Sequence, residues 1–170
     1  MPGNELLIDG FGRVREIVYD VLDGLTQDDI DFRIDGSANS IGWLIWHLTR
    51  VQDDHIAGAG GLPQVWLAQG WESRCGLALE PADIGYGHNS EQVALVKLSS
   101  DLLTGYHDAT YEQTVAFLRS LSDADMPKVV DRRWDPPVTM AVRLVSILVD
   151  DLEHAGQAAF AKGIIERRAS

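Results

Sequence analysis

Cysteine is nearly absent. Cys75 stands alone among 170 residues, so no internal disulfide forms and no cysteine-rich zinc site can be assembled. Positive charge is scarce too: 14 Lys and Arg face 26 Asp and Glu, and the formal charge of -12 repels phosphate backbones and anionic lipid. Nucleic acid and membrane surfaces are therefore poor partners for this chain. No apolar run approaches the roughly 18 residues of a membrane span, and the opening MPGNELLIDGFGRVRE shows no basic segment leading into an apolar stretch. A cytoplasmic location is the expectation. Sustained two-residue alternation is missing as well, which removes the signature of half-buried strands.

What remains is helical spacing. With 45% hydrophobic and 24% charged residues the chain has ordinary globular composition, and its length fits a single domain spanning residues 1–170. Leu6, Leu7, Phe11, Val14, Ile17, Val18, Val21, Leu22 and Leu25 recur in threes and fours and predict a first helix over about residues 4–25. Ser37, Asn39 and Ser40 before the run and glycines after it bracket a second helix over about 40–57. Glycine and proline rise between residues 60 and 89, predicting a long connection with one short helix near 63–69. Helical spacing resumes after Asn89 or Ser90 as one long helix with Gly105 as a kink, and Thr139 caps a last helix that ends near Gly163. SDADMPKVVDRRWDPPV, between these two, reads as a loop or short extended piece. The fold class is all-α, a four-helix bundle with a long irregular connection between its second and third main helices.

Chemistry concentrates in LVDDLEHAGQ. On a helical wheel Arg143, Ser146, Asp150, Glu153, His154 and Gln157 fall in a strip about 100° wide, so Asp150 and His154 share a face at i and i+4. A carboxylate and an imidazole so spaced reach one ion and suit zinc, nickel or iron. Periodicity by itself favours the plainer reading, a solvated face with an i,i+4 pair. Asp151, three residues before His154, competes for the carboxylate role but falls on the apolar side with Leu144 and Ala155. The second helix offers His47 and His55. Periodicity nominates His55, which falls with Leu44, Leu48 and Val51, whereas His47 lies at the flank beside Trp43 and Asp54. Metal chemistry needs three ligands and an open position, so one of these histidines joined to the last-helix pair would suffice if the two helices are neighbours. His88 reads as a solvent-exposed loop histidine, and Cys75 has only Arg74 to lower its pKa. GFGRVR and GAGG lack the remainder of a dinucleotide fingerprint, and neither a nucleophile elbow nor a duplicated Glu-x-x-His is present.

SIGWLIWHLTRVQDDHI and PVTMAVRLVSILVDDLEHAGQ, at opposite ends of a four-helix pattern, resemble the DinB/YfiT-like metalloenzymes. That family includes thiol-dependent S-transferases, using mycothiol or bacillithiol, and a mycothiol-dependent maleylpyruvate isomerase. The resemblance implies one divalent metal, zinc or nickel ahead of iron, held by His47, Asp150 and His154. It thus prefers His47 where the wheel prefers His55. Asp54, His55 and Asp151 become positioning or proton-handling candidates. Relative to the family pattern, Asp150 stands where His or Glu is more frequent, and Ala155 and Gln157 stand where basic residues or histidine are often found. The implied function is activation of a low-molecular-weight thiol for attack on an electrophilic small molecule. Two alternatives are a non-catalytic metal- or ligand-binding bundle and an interaction protein. A homodimer is also implied, with Trp43 and Trp46 as exposed anchors at its interface.

Overall fold

The computed structural model describes residues 2–168. Four long helices form the bundle: α1 (Gly3–Leu22), α3 (Ile41–Gly60), α7 (Ser100–Ser120) and α8 (Met140–Arg168). Between them lie short helices α2 (Gln27–Asp31), α4 (Val65–Ala68), α5 (Trp71–Cys75) and α6 (Ser90–Leu95), and a hairpin of β1 (Val129–Asp131) and β2 (Val138–Thr139). The all-α class and the four-helix frame match the sequence expectation. Among the described residues no helix is long and apolar enough to cross a membrane.

Two of the long helices open on a serine cap. Ser40 Oγ accepts the Trp43 N–H to open α3, and Gly61, at φ 63°, closes it in the left-handed region that glycine favours. Ser99 Oγ does the same for α7 through the Leu102 N–H. On α1 the buried set Phe11, Val14, Val18, Val21 and Leu22 follows the three-four spacing read from sequence. The set on α8 is Met140, Leu144, Ile147, Asp151, Ala155, Ala158 and Ala161, so an aspartate occupies a core position. Small alanines in the second half let α8 approach its neighbours closely. Its most extensive partner is α3.

Three expectations are corrected. The segment after Asn89 is not one helix kinked at Gly105 but two helices, because Val96 and Leu98 leave helical geometry to fill the core at 1% and 2% exposure. Gly105 sits inside α7, where a Cβ would lie 2.7 Å from the Trp71 ring, so the glycine admits an indole from the connection. Gly163 does not end the last helix, which continues to Arg168. Trp43 and Trp46 are buried at 5% and 1% exposure and cannot anchor an interface. α2 and α5 were not foreseen: α2 is a single turn made by a capping box between Thr26 and Asp29, and α5 lies within the expected irregular connection.

Candidate metal centre

α3 is the central helix. From Ile41 to Asp53 every residue is buried, since the bundle covers one side and the 61–99 connection covers the other. A helix buried all round has no polar face for a wheel to find. His47 is 6% exposed, at the point where α3 passes α8.

There the structure brings together His47, Asp150 and His154, one donor atom from each lying within 4.8 Å of the others. The two rings meet edge to face with centroids 4.7 Å apart. His47 Nδ1 bonds the Ile84 carbonyl, and His154 Nδ1 bonds the Asp150 carbonyl at 2.8 Å. Backbone carbonyls accept, so both Nδ1 atoms carry a proton, and in the neutral form of each ring the Nε2 lone pair is left free. Asp150 Oδ2 is buried without a hydrogen-bond partner, 3.4 Å from a His154 Nδ1–H already committed elsewhere. Two imidazoles and a carboxylate oxygen this close together could hold a divalent cation.

Burial pushes the His47 pKa down, aided by the nearby His154, which keeps the ring neutral. Burial works the same way on His154, but the Asp150 side chain and carbonyl, with Glu153, outweigh it and raise its pKa. Burial would raise the Asp150 pKa; His154, His47 and His55 together hold it below the usual carboxylate range.

The connection fixes His47 from outside. Gly85, at φ 89°, lies so close that a Cβ there would stand 2.7 Å from His47 Nδ1 and 3.0 Å from the Trp46 ring. Trp43, one turn before His47, stacks on its ring with centroids 4.5 Å apart at 17°. Trp43 Nε1–H donates to His88 Nδ1 at 3.1 Å, and His88 Nε2–H donates to Asp83 at 2.9 Å. His88 is therefore not an exposed loop residue: its side chain is 3% exposed and stacks on Trp46. Sequence reasoning missed Asp83, Ile84 and Gly85. The one available signal was a positive-φ glycine turn in a connection rich in aromatic residues.

The remaining candidates lie elsewhere. Asp151 is fully buried in the core, neither oxygen has a partner, and burial and the neighbouring Asp150 push its pKa well above the carboxylate range. His55 does not join the three donors. Its Nδ1 bonds the Val51 carbonyl at 3.0 Å, and it lines a neighbouring cavity with Asp54, which is bonded to Gln64 at 2.7 Å. Burial, with Arg143 adding to it, lowers the His55 pKa. Burial pushes the Cys75 thiol up to about 11, against Arg74, so it stays protonated at neutral pH.

Two cavities flank the donors along the antiparallel α3–α8 seam. One, of about 600 Å³, lies beyond Leu44, Glu153, Gln157 and Phe160. The other, of about 230 Å³, lies beyond Asp54, His55 and Arg143, under the β1–β2 hairpin.

A family model described as the DinB superfamily matches residues 11–158. Among solved structures, the chain is similar to a crystal structure described as the conserved protein of locus from Enterococcus faecalis. The identity is 30% and the TM-score 0.88, covering 95% of this chain and 96% of that one. A search of curated proteins gives no match.

Proposed function

For a chain that belongs to the DinB superfamily, we propose that His47, Asp150 and His154 hold one divalent cation, zinc or nickel ahead of iron, in a transferase of the thiol S-transferase type. The supporting observation is that one donor atom each from His47, Asp150 and His154 lie within 4.8 Å of one another, with Asp150 Oδ2 buried and unpaired. Three protein donors would leave such a cation an open position for a substrate atom. A cation held by these three residues would supply Lewis acidity that favours the thiolate form of a thiol substrate at neutral pH.

The chain's own residues supply the rest. Ile84 and Gly85 hold the His47 ring in one orientation, and Trp43 covers its face. His55, kept neutral by burial, has its Nδ1 proton on the Val51 carbonyl and Nε2 free to take a proton released when a thiol binds. The two flanking cavities seat two reactants, the thiol and the electrophile.

Two measurements test this reading. Protein purified without a histidine tag should carry close to one equivalent of metal, and His154→Ala should lose it. Conjugation assays with mycothiol, bacillithiol and other small thiols should show metal-dependent turnover that falls by at least a hundredfold in that variant. Metal-free protein even after zinc and nickel loading removes the centre. Stoichiometric metal with no turnover for any thiol removes the transferase.

A further inference from the structure

The smaller cavity has a charge character opposite to that of the molecule. In a chain of net charge -12 with only 14 basic residues, three guanidiniums, Arg132, Arg133 and Arg143, line one 230 Å³ space. The acidic residues lining it are Asp54 and Asp131, so the arginines outnumber the carboxylates three to two. Asp131 works chiefly as a brace. At 8% exposure it accepts Arg133 Nε and Nη2 at 3.0 and 2.9 Å and Arg143 Nη2 at 2.8 Å. Bracing Arg143 removes rotamer freedom that binding to it would otherwise cost. Arg143 is 15% exposed in its side chain, and Asp131 occupies one of its five donors. Arg132 is exposed at the rim.

We propose that this cavity binds a small carboxylate, held by Arg132 and the free donors of Arg143 under the β1–β2 hairpin. Guanidinium forks match the planar two-oxygen geometry of a carboxylate. At about 30 Å³ per water, the volume corresponds to roughly seven or eight waters, enough for a carboxylate with a short carbon chain. Its position gives it meaning for the reaction, a step that rests on the function proposed above. Arg143 precedes Asp150 by seven residues on α8, about 10 Å of helix rise, with His55 on α3 between them. An electrophile anchored by its carboxylate here would extend its reactive carbon along the seam toward the donors.

The binding itself is tested without the metal. Calorimetric titration of the full chain, as purified and after chelation, would use succinate, its uncharged diamide and inorganic phosphate, each at low and high ionic strength. Succinate should bind the chelated protein, weaken as salt rises, and lose at least tenfold in affinity in Arg132→Ala, an exposed position whose substitution spares the fold. Arg143→Lys, which keeps the charge and loses the fork, should weaken it comparably. Zinc affinity should be unchanged in Arg132→Ala, so loss of the metal reading and loss of this one are separable. Equal binding of diamide and succinate, no succinate binding to chelated wild type, phosphate binding tighter than succinate, or an unchanged affinity in both variants would each overturn the assignment.

Discussion

His47 owes its orientation to residues outside its own helix. The Ile84 carbonyl takes its proton, and the bare Cα of Gly85 permits that approach. Gly85→Ala would set a methyl 2.7 Å from His47 Nδ1 at a φ that side chains avoid. We expect it to cost about 10- to 100-fold in zinc affinity, the range for losing the partner that orients a metal-bound histidine, with far-ultraviolet circular dichroism unchanged. Wild-type affinity in that variant would remove the orienting role. His107 shows burial acting on a histidine with no place in the site. Fully buried on α7 beside Thr49, it has its pKa lowered to about 4 by burial. The unfolded chain binds the proton near 6.5 and the folded one only near 4, so stability present above pH 6.5 is lost as pH falls through that window. The full loss is on the order of 3 kcal/mol, most of it by pH 4.5. Urea midpoints at pH 7.5 and 4.5 should therefore diverge in wild type and diverge less in His107→Gln, the lowered pKa values of His47 and His55 keeping the remaining gap.

At the scale of elements, what holds the connection over α3 is a buried polar network. Asp53 accepts the Val65 and Trp66 N–H groups at 2.8 Å each, capping α4, and the Tyr106 hydroxyl at 2.8 Å. Arg50, wholly buried, donates to Asp83, Tyr106 and Gln64 and lies over the Trp66 ring. Removing one member leaves the others buried and unpaired. Asp53→Ala should cost about 3–5 kcal/mol and raise amide exchange across residues 61–89 before that in α1. Uniform exchange over the whole chain would mean the connection has no stability of its own to lose. The same network explains how much was legible beforehand. α1 exposes one face, so periodicity followed its core positions, and on α8 it set Asp151 on the apolar side with Leu144 and Ala155, although apolar residues there continue onto the exposed face. α3 exposes almost none from Ile41 to Asp53, so its pattern favoured His55, and His47 came forward only through the motif with Trp43. The break between α6 and α7 depends on core space for Val96 and Leu98, which no local signal carries.

For the whole molecule, burial of Trp43 and Trp46 moves the expected homodimer interface to another surface. α8 exposes Val142 at 53%, Val145 at 53%, Val149 at 47% and Leu152 at 42%. Gly156 and the exposed Ala159 continue the same three-four spacing, and Phe160 beside them is 65% exposed. A seam repeating every seven residues is the pattern one helix presents to another, and on a single chain it pairs most directly with its own copy about a two-fold axis. Val142 to Ala159 spans about 26 Å, and Gly156 has open space where a Cβ would stand, so two α8 helices can approach closely there. Covering five half-exposed side chains returns about 1 kcal/mol each, or roughly 10 kcal/mol for both copies, against an association cost of about 4–15 kcal/mol. At the lower end of that cost the net is about -6 kcal/mol, which predicts a weak dimer that dissociates on dilution through tens of micromolar. Sedimentation velocity should show that concentration dependence in wild type and a monomer throughout in Val145→Glu, which lies off the metal donors and leaves zinc stoichiometry unchanged. A wild type that stays monomeric at about 100-fold above that range would leave this seam without a second copy, because the apolar area on α8 would then be too small to offset the association cost.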